Sequence, residues 1–183
     1  MRIVQGRFKG RNIKVSDKGV RPVSDRVKEA CFSVLRDILP NAIVFDMFSG
    51  SGALAFESIS AGAKSAVLTD NSKNSVDVIR KNIKTLGLET NTELYLFDAI
   101  LFIEKLAAKK ARFDIIFIDP PYSKGLVNKA LQAIMRYDIL APFGYIVCFA
   151  YAKDEISADI QNVSLVYEKL YGQTRFLVYN NLK

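Results

Sequence analysis

Four short apolar runs, each closed by an aspartate and each followed by a helix-forming stretch, constrain the fold of this chain more than any other feature. Residues 42–45 deliver Asp46, 66–69 deliver Asp70, 94–97 deliver Asp98, and 115–118 deliver Asp119. Unbroken apolar runs of this length read as strands covered on both faces, the condition inside a parallel sheet. Helices are expected over about 25–39, 51–61, 72–86, 99–108 and 124–136. Strands alternating with helices imply an α/β fold, a doubly wound, mostly parallel, Rossmann-like sheet. A strand near 145–151, a short helix near 155–161 and two strands near 164–170 and 174–179 complete the pattern. The last two are joined by Tyr171-Gly172-Gln173, a hairpin turn that makes one edge antiparallel. Ligands of such sheets bind beyond the carboxyl ends of the strands, where all four aspartates stand.

The fourth run ends in Asp119-Pro120-Pro121-Tyr122. Two prolines in succession remove two backbone donors and fix φ, so the chain leaves the sheet stiff and extended. A carboxylate, a rigid carbonyl-bearing loop and an aromatic ring are thereby held at one strand end. The exocyclic amine of a nucleobase is a poor nucleophile because its lone pair is delocalised into the ring. Asp119 and the Pro120 carbonyl could each accept one of its N–H groups and aim the lone pair at an electrophile, with Tyr122 stacked on the base. A helix cap after a proline turn is the plainer alternative for this motif alone.

The first run opens Asp46-Met47-Phe48-Ser49-Gly50-Ser51-Gly52-Ala53-Leu54-Ala55. Gly50-x-Gly52-x-x-Ala55 resembles a dinucleotide fingerprint, a weak signal on its own. A pyrophosphate would be repelled by Asp46, whereas the sulfonium and ammonium of S-adenosylmethionine would be attracted. Asp70 follows at about the roughly 20-residue spacing at which doubly wound folds offer an acid to ribose hydroxyls. Asp98, with the Ala99 backbone beside it, is placed to meet an adenine amino group.

The net charge of +7 is unevenly spread. Arg2, Arg7, Lys9, Arg11, Lys14, Lys18, Arg21, Arg26 and Lys28 stand against Asp17 and Asp25 in residues 1–28, and the remainder is balanced. Ile3, Val4, Phe8, Ile13 and Val15 interleave with these charges and Gly6 and Gly10 punctuate them, which suggests a twisted basic hairpin suited to nucleic acid. The chain divides into this extension, 1–20, and a catalytic domain, 21–183. With no histidine, imidazole triads and imidazole metal sites are excluded, and no metal ligand set is evident. Cys31 and Cys148 lie far apart, in helical and strand settings, which suits buried thiols in a reducing cytoplasm. No signal-peptide pattern or membrane-length apolar run is present.

On Gly6-Arg7-Phe8-Lys9-Gly10-Arg11, Arg21-Pro22-Val23-Ser24-Asp25-Arg26-Val27-Lys28-Glu29, the Asp46–Gly52 and Asp119–Tyr122 motifs, and Tyr171-Gly172-Gln173-Thr174-Arg175, the chain resembles the RsmD-type 16S ribosomal RNA methyltransferases. The resemblance implies a seven-stranded class I methyltransferase sheet and transfer of a methyl group from S-adenosylmethionine to the N2 amine of a guanine. It implies donor contacts at Asp46, Phe48, Gly50, Gly52, Asp70, Asp98 and Ala99, and catalysis at Asp119, Pro120, Pro121 and Tyr122. Arg7, Lys9, Arg11 and Arg21 would bind the RNA, presented in a partly assembled small subunit to a cytoplasmic monomer that needs no metal. Val23 departs from the family's usual threonine, and Asp70 from its common glutamate. The rivals are a DNA adenine-N6 methyltransferase, a protein-glutamine methyltransferase and a non-catalytic RNA-binding assembly factor.

Overall fold

A computed structural model describes residues 1–15, 23–121, 125–156, 160 and 162–182, so the expected sites Arg21 and Tyr122 lie outside the described residues. Among those described, seven strands form one sheet: β1 (Ile43–Asp46), β2 (Ser65–Asp70), β3 (Thr92–Leu96), β4 (Phe113–Ile118), β5 (Leu140–Tyr151), β6 (Val163–Tyr171) and β7 (Thr174–Asn181). Their spatial order is β3-β2-β1-β4-β5-β7-β6. Every pairing from β3 to β5 is parallel, and β7 runs antiparallel to both β5 and β6. The connections wind outward from β1 to β3 and then return to β4. The direction of winding therefore reverses between β1 and β4, which are paired with Asp46 opposite Phe117. A doubly wound sheet opens its ligand crevice at that reversal.

Five helices cover the faces: α1 (Asp25–Val34), α2 (Ala53–Ser60), α3 (Lys73–Leu86), α4 (Ala99–Ala108) and α5 (Leu126–Tyr137). Ser24 caps α1, its Oγ accepting from the Val27 N–H at 3.4 Å, as Ser72 caps α3 and Asp98 caps α4. The first helix ends at Val34 rather than near residue 39, because the chain tightens into a turn in which the Ile38 and Leu39 amides both donate to Leu35 O. One core cluster packs α1, α2 and α3 on one sheet face, and a second packs α4 and α5 on the other. Cys31 belongs to the first and Cys148 to the second, both buried and unbonded. No helix among the described residues is long and apolar enough to cross a membrane.

Two expected elements differ. Strand β5 begins at Leu140, not near 145, because Pro142, Phe143 and Gly144 are accommodated in an irregular stretch where the register with β4 shifts and Phe143 has φ 58°. The short helix expected over 155–161 falls largely outside the described residues. Glu155 and Ile156 are irregular, and Ile160 forms a lone bridge with Val163.

The basic hairpin expected at the N-terminus is a short one. Arg2 and Asn12 form an antiparallel bridge, flanked by Ile3 N–H to Arg11 O at 2.9 Å, with a 3-10 turn over Gly6–Phe8 at its tip. Ile3 and Ile13 are buried in the first core cluster, so the segment is docked. Gly6, at φ +73°, abuts the carboxyl end of α2 so closely that a Cβ there would lie 1.9 Å from Ser60 O. Lys28 had counted among the basic surface charges; it is instead fully buried. Its ammonium donates to Arg2 O at 2.7 Å and pairs with Glu57 at 3.2 Å and Asp25 at 3.1 Å. The Val4 N–H donates to the same Glu57 Oε1 at 2.8 Å, which ties hairpin, α1 and α2 together.

Candidate active site

Asp46 ends β1 fully buried. Its Oδ2 accepts from the Ala55 N–H at 3.3 Å, while Oδ1 has no hydrogen-bond partner among the described residues. Burial pushes its carboxyl up to about 7, with Asp70 adding repulsion and the Ala55 amide opposing. Asp119, two residues past the Phe117 that pairs with Asp46, is half-buried at the end of β4. Burial first, and then the negative charge of Asp46, push its carboxyl up to about 8. Pro120 is buried and Pro121 exposed. Two carboxyls thus share a poorly solvated crevice at the reversal of the sheet, one of them with an orphaned oxygen.

The glycine turn between β1 and α2 closes over this crevice. Ser49 Oγ donates to Asp46 O at 2.8 Å, and the Ser49 amide donates to Thr69 O at 3.0 Å. Gly52 stands at φ +81°, and a Cβ there would meet the Phe56 ring at 2.5 Å. Its lack of a side chain is therefore demanded by backbone conformation and by its own helix, a stronger requirement than close approach to a ligand. Asp70 holds the turn from β2: Oδ2 accepts from the Gly50 N–H at 2.9 Å and Oδ1 from the Ser72 N–H at 2.8 Å. Asp98 Oδ1 accepts from the Ile100 and Leu101 amides at the start of α4, beside buried Ala99. Asp98 is thus the cap of α4, whereas Asp70 ties the glycine turn to the start of α3 through both of its oxygens. Phe48 is half-buried against the α4–α5 core.

Asn82 on α3 joins this turn to the N-terminal hairpin, a link that sequence reasoning missed. Its Nδ2 donates to Ser51 O at 3.1 Å and to Lys14 O at 2.9 Å, and its Oδ1 accepts from the Lys14 N–H at 2.8 Å. Arg7, Lys9 and Arg11 are exposed on the hairpin, with the Arg7 guanidinium 4.6 Å and the Arg11 guanidinium 5.5 Å from the Phe8 ring centroid. A cavity of about 340 Å³ adjoins Asp119, walled by the start of α1 and the β6–β7 turn. Ser24, Arg26, Lys169 and Tyr171 line it. None of these four was among the expected site residues, although Ser24 and Arg26 lie in the second of the resemblance-bearing stretches and Tyr171 opens the last.

The two raised carboxyls have a consequence for stability. Each has a folded-state pKa above its unfolded value, so between about pH 4 and pH 7–8 the folded chain holds protons that the unfolded chain releases. Stability is therefore expected to fall as pH rises through that window. Thermal unfolding of the ligand-free protein should show a midpoint several degrees lower at pH 8.5 than at pH 5.5. Asp46→Asn should flatten the dependence, and a midpoint that rises over the same range would refute it.

The chain matches the family described as Conserved hypothetical protein 95 over residues 1–180. It is 32% identical to the Ribosomal RNA small subunit methyltransferase D of Escherichia coli strain K12 over 180 residues, covering 98% of this chain and 89% of that protein. The protein of the same name from Haemophilus influenzae is 29% identical over 182 residues, covering 99% and 94%. The solved structure of yhhF from Escherichia coli superposes with a TM-score of 0.88 at 31% identity, covering 99% of this chain and 97% of that one. With the family match, the fold and the length in agreement, the chain belongs to the Conserved hypothetical protein 95 family, the family of the RsmD-type methyltransferases.

Proposed function

We propose that this chain is a small-subunit ribosomal RNA methyltransferase, and that it methylates the exocyclic N2 amine of a guanine in 16S rRNA. The observation that carries the reading is the pair Asp46 and Asp119 on adjacent strand ends, sharing a desolvated crevice in which Asp46 Oδ1 lacks a partner. An anionic ligand would be expelled from such a place, and a cationic one completes it. S-adenosylmethionine fits on that ground, and supplies a methyl group already activated on a sulfonium.

Asp46, the Gly50–Gly52 turn, Phe48, Asp70, Asp98 and Ala99 are assigned to holding the donor. Asp119 and the Pro120 carbonyl are assigned to the acceptor amine: each accepts an N–H and turns the nitrogen lone pair away from the ring system. When the amine gains its methyl group it must lose one proton, and Asp119, whose proton affinity is raised by burial, can take it when it stands ionised. Pro121 keeps the loop rigid, and Tyr122 is assigned the stacking face. Positioning and exclusion of water then carry most of the rate. We assign the work to the cytoplasm, on a partly assembled small subunit, by a monomer that uses no metal.

Tritiated-methyl transfer from S-adenosylmethionine into small-subunit particles, free rRNA, DNA and protein tests the reading, followed by mass mapping of the modified nucleotide. Label at guanine N2 in the rRNA is expected. Label in DNA adenine or in protein, or no transfer to any of the four, would refute it.

The hairpin carries a separate expectation. Replacing Arg7, Lys9 and Arg11 with glutamine should weaken RNA binding and leave donor affinity intact, because all three are exposed and remote from the strand-end acids. If each neutralises one phosphate, the slope of log affinity against log salt should flatten by about two to three, at ~0.7–0.9 per phosphate. A slope shared by wild type and variant would remove the hairpin from RNA binding.

A further inference from the structure

The cavity beside Asp119 has walls of opposite character. Asp119 lines one side; Ser24 and Arg26 approach from the start of α1, and Lys169 and Tyr171 from the β6–β7 turn. Lys169 Nζ lies 5.4 Å from the Tyr171 ring centroid, which fixes the ammonium over a half-buried ring. Among the described residues neither Arg26 nor Lys169 pairs with a carboxylate. Nor does either cation lower Asp119, whose carboxyl answers to burial and to Asp46 alone. The two basic groups and the acid therefore face a common space of about 340 Å³ without touching across it.

We propose that this cavity is the acceptor-base pocket, and that Lys169 and Arg26 donate to the ring carbonyl of a base whose exocyclic amine lies on Asp119. The inference rests on the methyl-transfer reading above and deepens it by assigning specificity. A base that presents an amine to a carboxyl carries its other polar groups along the same edge. For guanine these are N1–H, a donor that also suits the acid, and then the O6 carbonyl, an acceptor of the kind that Lys or Arg reads. An adenine turned to offer its amine to Asp119 puts an acceptor nitrogen, N1 or N7, directly beside that amine where guanine has N1–H, and it carries no carbonyl at the O6 position assigned to the cations. The pocket thus selects an edge that carries both an amine and a carbonyl. Ser24, whose hydroxyl oxygen accepts from the Val27 N–H, lines the same space.

Small-subunit particles assembled on rRNA that carries either guanine or 2-aminopurine at the mapped nucleotide test this directly. 2-Aminopurine keeps the N2 amine, has hydrogen in place of O6 and lacks the N1 proton, so the Lys169 and Arg26 variants are needed to isolate the O6 contact. The wild type is expected to prefer guanine in kcat/KM by about 10–100-fold, the discrimination of one good base contact. Lys169→Ala and Arg26→Ala should narrow that ratio by losing rate on guanine while leaving 2-aminopurine and donor affinity unchanged. Equal rates on the two bases by the wild type would overturn the pocket. So would variants that lose the same factor on both, which would make the cations phosphate contacts. Failure to methylate the guanine particle at all would refute the underlying methyl-transfer reading, and the pocket with it.

Discussion

Methyl transfer by Asp119→Ala is expected to fall roughly 10²–10⁴-fold, the span of a positioned acid–base group, with donor affinity held within a few-fold of wild type. The reason is placement. Asp119 lines the cavity on the α1 and β6–β7 side, while the orphaned oxygen that would meet the donor belongs to Asp46. Removing the half-buried Asp119 carboxyl also relieves its repulsion with Asp46, so the variant should be no less stable than wild type at pH 8. Asp119→Asn separates orientation from proton removal, since an amide oxygen still accepts an N–H but the side chain takes no proton. Isothermal titration with S-adenosylmethionine beside single-turnover rates decides the matter. A variant that loses donor binding along with rate would move Asp119 into the donor site. Gly52→Val would be a poor companion probe, because the clash with Phe56 and the positive φ would strain α2 before any ligand arrived.

Lys28→Met should cost about 3–5 kcal/mol of stability in urea unfolding, the penalty for stranding one member of a buried ion pair. Glu57 is 1% exposed, its Oε2 has no partner among the described residues, and without Lys28 its carboxylate keeps the Val4 and Gln5 amides but no positive charge. Burial already pushes the Glu57 carboxyl up, with the Val4 amide and Lys28 opposing. The loss should therefore shrink at acid pH, where the stranded carboxyl protonates. Lys28→Met combined with Glu57→Gln should recover most of it, since the amide still accepts from Val4 and leaves no charge behind. A single variant within about 1 kcal/mol of wild type would mean that water reaches the pair.

Most of the sheet was legible because its strands are buried on both faces. Residues 115–118 could only be a covered strand, and the aspartates that follow such runs mark their carboxyl ends. Helix α4 matched its expected bounds, since Asp98 is both a strand terminus and a cap. Lys28 was misread for a definite physical reason: periodicity assigns a charged residue to the wet face of a helix, and only the tertiary partner Glu57, far along the chain, overrides that. The bulged start of β5 was hidden because Pro142 and Gly144 signal a break, which a register shift absorbs. The acceptor cavity was illegible for the plainest reason, that its walls come from the two ends of the chain.

The reversal between β1 and β4 also governs when the site can exist. Two complete strand–helix units separate those neighbours in sequence, so their pairing closes a large loop and belongs among the slow, non-local events of folding. A nascent or refolding chain can assemble β1 to β3 from nearer contacts, with Asp46 still solvated and its proton exchange ordinary. Only when β4 arrives do the two carboxyls enter a common dry crevice. Pairing of β1 with β4 and assembly of the two-carboxyl site are then a single kinetic step. Methyl-transfer competence in a refolding experiment should accordingly rise no earlier than that pairing, whereas the residues assigned to the donor all precede β4.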